Sequence, residues 1–238
     1  MNQLLEEIYS TKSVKDGQGN SINPFPTATP YDIGTILNEL IQKNNLERTL
    51  EIGMAYGLST LFICQAHHDK GRGIHTAIDP MQNSVWKSIG LLNVERAGFA
   101  DKVRFLEACS DEALPQLVAK GEKLDFAFID GSHHFDYTLV DFFYVDKLLE
   151  VGGYVVFDDI WMPGIRKLVS YILRNRDYQL TKVDTKASIW QGLTKSTKRF
   201  LQNPFEREYG GIKFIFNNIC VLKKISEDNR HWDYHRSF

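Results

Sequence analysis

The sequence has no long apolar run and no excess of charge of one sign. No segment approaches the roughly 18 to 20 consecutive apolar residues that cross a membrane. Its 28 Lys and Arg residues nearly balance 30 Asp and Glu residues, and the formal net charge is −2. Because a nucleic acid or an anionic membrane attracts a basic surface, neither is expected as a partner.

Cysteine is also scarce. Cys64, Cys109 and Cys220 are an odd number at wide spacings, which is typical of reduced thiols in a cytoplasmic protein and not of a disulfide framework. The first 17 residues, MNQLLEEIYSTKSVKDG, are acidic and amphipathic. They contain neither the basic nor the apolar region of a secretory signal. A cytoplasmic location is therefore predicted.

What the sequence does contain, from about residue 30 onward, is a regular alternation of apolar runs and helical patterns. Five runs are typical of buried strands: TLEIG (49–53), IHTAID (74–79), KVRFLEA (102–108), LDFAFID (124–130) and GGYVVFDD (152–159). Strands that alternate with helices at this spacing form βαβ units, and continuously apolar strands are covered on both faces. The predicted fold class is α/β, with a mostly parallel sheet between two layers of helices.

The two ends of the chain do not follow this alternation. The N-terminal segment contains a predicted helix at 3–9, a loop rich in Gly, Asn and Pro, and a helix at 31–43. DYQLTKVDT and GIKFIFNNICVLKK are typical of two further strands, separated by a polar stretch of about 25 residues. We predict one domain over 1–238, with a helical cap (1–45), a core (46–185), and an insertion followed by C-terminal strands (186–238).

The loop after the first apolar run, EIGMAYGLST, has the composition of a ligand-binding turn. In open α/β sheets, ligands bind beyond the carboxyl ends of the strands. Gly53 and Gly57 permit a sharp turn and a close approach of the backbone to a ligand. Ser59 could cap the following helix. Asp79 ends the second run, where a carboxylate could accept both hydroxyls of a ribose.

The spacing of this loop excludes two common phosphate-binding motifs. E-x-G-x-x-x-G is neither G-x-G-x-x-G nor a P-loop. Glu51, two residues before the first glycine, would repel a phosphate but suits a cationic ligand. S-adenosylmethionine, with its sulfonium and α-amino groups, is such a ligand. A tight strand-to-helix turn that binds nothing would use the same glycines.

Acidic residues end two further runs. Asp130 follows the fourth run, and Asp158 and Asp159 follow the fifth. Neighbouring parallel strands lie about 4.8 Å apart, so side chains at their carboxyl ends can converge. Converging carboxylates repel one another unless a cation offsets their charge, and a hard divalent ion such as Mg²⁺ prefers oxygen ligands. The alternative is that one aspartate of the 158–159 pair caps a turn and the other is solvated.

These stretches resemble class I S-adenosylmethionine-dependent methyltransferases from about Arg48 to Gly164. TLEIGMAYGLSTL looks like their first motif, AIDP like the acidic second motif, and VRFLEACSDEALPQL like the motif that lines the adenine. The resemblance implies that the first motif holds the methionine portion, the second the ribose, and Ser110 the adenine, although Cys109 stands where relatives often carry Asp. The predicted cofactor contacts are Glu51, Gly53, Gly57, Ser59, Asp79, Ser110 and Asp130.

The stretch from FIDGSHHFDY to DDIWMPG resembles the metal-dependent small-molecule O-methyltransferases, both the catechol type and a bacterial branch with an I-D-G-x-H signature. In the catechol type, an Asp and an Asp-Asn pair bind magnesium, which implies Asp130, Asp158 and Asp159 here. Asp159 departs from that pattern because it is not Asn. The fold implied is a Rossmann-like three-layer αβα sandwich, with a seven-stranded, mostly parallel sheet whose last strand is antiparallel.

His133 lies three residues after Asp130, where the catechol type carries a Lys that acts as a base. Imidazole suits proton removal at neutral pH, so His133 and Asp130 are the predicted catalytic residues. His133 could instead be a metal ligand or only a partner within the turn, and His134 is expected to point away. Asp141 and Asp146, inside a helical pattern, are expected to face solvent or to pair with Lys147.

The predicted function is transfer of a methyl group from S-adenosylmethionine to a hydroxyl of a small molecule, assisted by a divalent metal such as Mg²⁺. One alternative is a metal-independent N- or O-methyltransferase, and another is a non-catalytic S-adenosylmethionine-binding module. Candidate walls of an acceptor pocket are Trp161, NPFPTATPY (23–31) and IWQGL (189–193). The tail NRHWDYHRSF (229–238) could pack on a neighbouring subunit of a homo-oligomer.

Overall fold

A seven-stranded sheet forms the centre of the structure. The computed structural model describes residues 1–25, 27–183, 218–234 and 236–238. The strands in these ranges are β1 (Val14–Lys15), β2 (Ser21–Ile22), β3 (Arg48–Ile52), β4 (Ile74–Ile78), β5 (Val103–Leu106), β6 (Leu124–Ile129), β7 (Leu149–Phe157), β8 (Tyr178–Thr181) and β9 (Cys220–Lys224). The last seven pair in the order β5-β4-β3-β6-β7-β9-β8. β9 runs antiparallel to β7 and β8, and the other neighbouring strands are parallel, so the predicted sheet is confirmed.

Helices cover both faces of this sheet. Those in the described ranges are α1 (Gln3–Thr11), α2 (Tyr31–Lys43), α3 (Leu58–Asp69), α4 (Ile89–Arg96), α5 (Ser110–Ala119), α6 (Phe135–Leu148) and α7 (Pro163–Asn175). Successive strand side chains point to opposite faces. In β6, Phe126 and Phe128 accordingly pack with α2 and α3, whereas Ala127 and Ile129 pack with α5, α6 and α7. This confirms the three-layer sandwich. None of these helices combines the length and hydropathy that a membrane crossing needs.

The order of the strands reverses at β3. From β3 the chain runs outward through β4 to β5 and then returns to place β6 on the other side of β3. The chain after β3 and the chain after β6 therefore lead to helices on opposite faces of the sheet, and a crevice opens there at its carboxyl edge. Gly53 allows the two loops to approach, because its φ is +92° and a Cβ atom there would overlap the backbone carbonyl of Asp130.

The N-terminal cap differs in detail from the prediction, and the segment after β4 turns before it becomes helical. Residues 16–30 were expected to be a loop, but β2 lies there and pairs with β1; two-residue strands are too short to show an alternating pattern. After β4, α4 begins only at Ile89, because Ser88 has a left-handed φ of +56°. The stretch 186–210, including IWQGL, lies outside the described residues.

Two acids of α6 are buried, which contradicts the expectation that they face solvent or pair with Lys147. Asp141 and Asp146 are 1% and 5% exposed. Lys147 instead lies over the ring of Phe143, 4.3 Å from its centroid. Burial raises the pKa of Asp141 to about 6. Asp146 accepts hydrogen bonds from Arg176 and, at 2.6 Å, from the Tyr178 hydroxyl.

Candidate active site

A cavity of about 660 Å³ opens at the carboxyl edge of the sheet. The loops after β3 to β7, residues 27–30 and Asn218 line it, and cavities of this size hold small organic molecules. The predicted site residues that it brings together are Gly53, Ser59, Asp79, Ser110, Asp130, His133, Asp158 and Asp159. Glu51 and Gly57 do not line it.

Glu51 lies beneath the cavity and does not line it, so its predicted cofactor contact stays a prediction. Its side chain is fully buried. The Ser59 hydroxyl donates to Oε2 at 2.7 Å and the Thr60 hydroxyl donates to Oε1, while the His75 ring nitrogen Nε2 lies 3.2 Å from Oε1. The carboxylate therefore fastens the first turn of α3 to the sheet.

The start of α3 corrects the expectation that Ser59 caps the helix. The helix begins at Leu58, and its N-cap is Gly57, with a left-handed φ of +77°. A Cβ atom at Gly57 would lie 3.0 Å from the carbonyl oxygen of Gly90. Gly57 therefore shapes the turn and does not line the cavity, whereas Ser59 does.

Asp79 joins the β3–α3 loop to the β4–α4 loop at one end of the cavity. Its Oδ2 accepts from the backbone amides of Met54 at 3.0 Å and Ala55 at 2.8 Å, and its Oδ1 accepts from the amide of Met81 at 2.7 Å. The residue is 4% exposed. A single carboxylate thus sets the shape of both the β3–α3 and the β4–α4 loops.

Ser110 lines the cavity as the first residue of α5. The N-cap is Cys109, which makes no side-chain capping bond. The first backbone amides of an uncapped helix lack intrahelical partners and can donate to a ligand. Contact between Ser110 and an adenine stays a prediction.

Three aspartates crowd the opposite end of the cavity. Asp130 follows β6, and Asp158 and Asp159 follow β7. Burial, and then the charges of Asp158 and Asp159, raise the pKa of Asp130 well above its usual range. Burial also raises the pKa of Asp158 to about 7. Burial and mutual repulsion both disfavour the ionised carboxylates, so a bound cation or bound protons must offset their negative charge.

The atoms placed to hold a cation come from Asp130, His133 and Asp159. One ligand atom of each lies within 4.8 Å of the others. Asp158 was also predicted as a ligand; its Oδ1 accepts from the amide of Asp159 at 2.7 Å and from Asn218 at 3.0 Å, and its role as a ligand stays a prediction. Two carboxylates and an imidazole are donors that a divalent ion accepts. The residues present therefore fit a divalent cation.

The ring of His133 is fixed by its two nitrogens. Nδ1 lies 3.0 Å from the carbonyl oxygen of Gly131, and since a carbonyl only accepts, Nδ1 carries a proton. Nε2 meets Oδ2 of Asp159, so it faces the carboxylate cluster and is not confined to the turn. His134 is exposed and contacts Ser132 at 3.0 Å, pointing away as predicted.

Two residues near the cluster have roles that the sequence did not indicate. Asn218 donates from its amide to Asp158 and Asp159. Trp161 was a candidate wall of an acceptor pocket, but it does not line the cavity; its indole donates to Oδ1 of Asp159 at 2.7 Å. Of the other candidate walls, residues 27–30 do line the cavity.

The chain is similar to known methyltransferases. A family model described as a methyltransferase domain matches residues 50–160. The chain is 30% identical over 175 residues to a caffeoyl-CoA O-methyltransferase of Populus kitakamiensis, covering 71% of this chain and 68% of that protein. The matched segment thus spans about two thirds of that relative's length.

Two solved structures share the fold. One is an O-methyltransferase from Bacillus cereus in complex with SAH, with a TM-score of 0.61, 22% identity, and coverage of 76% of this chain and 83% of the other. The second is the O-methyltransferase TomG from Streptomyces achromogenes in complex with SAM. Its TM-score is 0.66 at 18% identity, with coverage of 95% and 91%.

Proposed function

The chain belongs to the S-adenosylmethionine-dependent O-methyltransferases, and on that premise we propose that it methylates a hydroxyl of a small molecule with the help of a divalent cation. One observation carries the proposal: the ligand atoms of Asp130, His133 and Asp159 cluster on the wall of the same cavity that Gly53 and Asp79 line. A cofactor at one end and a cation-held acceptor at the other would meet within it.

The cofactor end is served by groups with complementary chemistry. Asp79 is proposed to accept the ribose hydroxyls, and Ser110 with the first turn of α5 to contact the adenine. The buried charge of Glu51, just beneath the loop, favours a sulfonium in the cavity above it. The enzyme would then align the acceptor oxygen with the methyl group for an in-line displacement.

At the other end, Asp130 and Asp159 are proposed to hold the cation, with His133 beside them. A bound divalent cation supplies Lewis acidity, which makes an acceptor hydroxyl more acidic. Nε2 of His133 already faces the cluster, while Nδ1 is occupied by the Gly131 carbonyl. Nε2 is therefore the ring nitrogen that would take the proton of the hydroxyl, and in this role His133 is a base beside the cation and not one of its ligands.

The test is formation of S-adenosylhomocysteine from S-adenosylmethionine in the presence of hydroxyl acceptors. Caffeoyl-CoA, from the name of the relative, and a simple catechol are the first probes. We expect turnover to fall at least tenfold after EDTA treatment and to return with Mg²⁺. Full turnover in EDTA would establish the metal-independent alternative. Cofactor binding without turnover on any acceptor would favour a non-catalytic binding module.

We expect Asp79→Asn to weaken cofactor binding about 30-fold. Hydrogen bonds to a charged group contribute about 1.5 to 3 kcal/mol each, and an amide turns one acceptor oxygen into a donor that faces backbone N–H groups. A loss of about 2 kcal/mol corresponds to that factor. Calorimetric titration with S-adenosylhomocysteine measures it. Glu107→Gln, on a carboxylate that holds Asn83 of the same loop at 2.6 Å, is the matched control. An unchanged affinity for Asp79→Asn would remove Asp79 from the cofactor site.

The remaining expectations concern partners and location. Cys64, Cys109 and Cys220 are free thiols, which supports a reducing compartment, and we propose the cytoplasm. A small hydroxyl compound is the proposed partner, with no nucleic acid and no membrane. A homo-oligomer is the remaining proposal, tested by light scattering.

A further inference from the structure

Asn218 connects the two adjacent aspartates that follow β7. Its amide nitrogen lies 3.0 Å from Oδ1 of Asp158 and 2.8 Å from Oδ1 of Asp159. The amide nitrogen faces the two carboxylates because it can donate to them, whereas the amide oxygen, like a carboxylate oxygen, only accepts. The two N–H groups therefore serve one carboxylate each.

The sheet fixes the position of Asn218. β7 and β9 are antiparallel with Phe157 opposite Cys220, so continuing this register by two residues places Asn218 opposite Asp159. The main chain is also held there, because the amide of Ile160 donates to the carbonyl of Asn218 at 2.8 Å. The side-chain amide thus projects from a rigid position.

Asp159 needs such a partner. It adopts a left-handed φ of +51°, a conformation that side chains other than glycine seldom take and that commonly marks a functional site. Its Oδ1 accepts from Asn218 and from Trp161, whereas its Oδ2 faces His133. One oxygen is therefore anchored and the other is presented to the candidate cation ligands.

We propose that Asn218 is a positioning residue of the cation site, which holds Asp158 and Asp159 side by side so that Asp159 presents Oδ2 beside Asp130 and His133. The inference rests on the proposed function, since it assumes that a divalent cation binds this cluster. Trp161 holds the same oxygen of Asp159 but does not reach Asp158. Among the residues that the structure describes, only the Asn218 side chain donates to both carboxylates.

The affinity for the cation should therefore depend on Asn218, although Asn218 is not itself a ligand. Partners that orient metal ligands typically change affinity by about 10- to 100-fold when they are removed. Asn218→Leu keeps the approximate volume and removes both donors, so we expect the dissociation constant for Mn²⁺ to rise within that range. Asn218→Gln, which keeps the amide on a longer side chain, should recover part of the affinity.

Two measurements test the proposal without relying on turnover. Mn²⁺ binding is followed by the electron paramagnetic resonance of the free ion, and S-adenosylhomocysteine binding is measured by calorimetry in the absence of metal. Asn83→Leu is the matched control, because Asn83 contacts Glu107 on a neighbouring loop and not the aspartates. We expect normal Mn²⁺ affinity in this control, and S-adenosylhomocysteine affinity within twofold of wild type in every variant.

The outcomes separate the inference from its premise. Mn²⁺ affinity within twofold of wild type in Asn218→Leu overturns the positioning role. Parallel losses of Mn²⁺ and S-adenosylhomocysteine affinity, with no recovery in Asn218→Gln, also overturn it, because they indicate a general packing role. If the wild-type protein binds S-adenosylhomocysteine but no Mn²⁺, the proposed metal assistance fails and the inference with it.

Discussion

Asp130→Asn is expected to lower turnover by about 10³-fold or more while the protein remains folded. Asp130 supplies one of the carboxylates of the candidate cation site, and a Lewis acid contributes several kcal/mol of transition-state stabilisation. Since each 1.36 kcal/mol corresponds to a factor of ten in rate, loss of the cation accounts for the size of the effect. Turnover is measured as S-adenosylhomocysteine formed at saturating cofactor.

The stability of Asp130→Asn should move in the opposite direction. Burial and two neighbouring aspartates raise the pKa of Asp130 in the folded protein, so ionisation of this group disfavours folding. The penalty is absent at a pH below the ordinary aspartate value and complete above the raised folded pKa. At neutral pH the metal-free variant should therefore melt at a temperature equal to or higher than wild type.

Mn²⁺ should raise the melting temperature of wild type and leave that of Asp130→Asn unchanged, because only a protein that binds the ion gains stability from it. Asp136→Asn is the control: Asp136 is exposed in the first turn of α6 and should retain both turnover and the response to Mn²⁺. Metal-dependent turnover in Asp130→Asn within tenfold of wild type would contradict the assignment of Asp130 as a ligand.

The convergence of the acidic residues could be predicted from the sequence because it depends on local patterns. Continuously apolar runs identify strands buried on both faces, and each run ends where its polar residue begins. β6 and β7 pair in parallel with Ile129 opposite Phe157. Asp130 and Asp158 consequently meet at one edge, as predicted from the strand ends alone.

The direction in which a side chain points could not be predicted from these local patterns. Glu51 carries the charge expected beside a cationic cofactor, but it lies within β3 and points into the buried layer under α3. Asn218 reaches Asp159 only because β9 inserts between β7 and β8. That pairing joins residues about 60 positions apart, and no local pattern reports it.

The burial of the two acidic residues of α6 could, by contrast, have been predicted from the sequence. The buried positions Thr138, Asp141, Phe142, Val145 and Asp146 follow the spacing i, i+3, i+4, i+7, i+8 of one helix face. Polarity was taken as evidence of exposure, although periodicity placed both acids on the buried face. A buried carboxylate requires a partner, and Asp146 has three: Arg176, Tyr178 and Lys224.

Asp146→Ala is expected to lower the free energy of unfolding by about 3 kcal/mol. The carboxylate pairs with Arg176, accepts from Tyr178, and lies 3.9 Å from the ammonium of Lys224. The side chains of Arg176 and Lys224 are 7% and 0% exposed, and removal of one partner of a buried pair costs about 3 to 5 kcal/mol. The lower value applies because Asp228 and Glu227 still contact these cations.

Urea denaturation measures this loss as a lower midpoint at an unchanged slope. Asp177→Ala is the matched control, since within the described ranges the only side chain that its carboxylate binds is the exposed Ser226 hydroxyl, at 2.6 Å, and the change should alter stability by less than about 1 kcal/mol. A double-mutant cycle with Arg176→Ala should show strong coupling, because each single change leaves the other charge buried. Additive effects of the two changes would mean that the pair is not the source of the stability, and that Asp146 acts through Tyr178 or Lys224 instead.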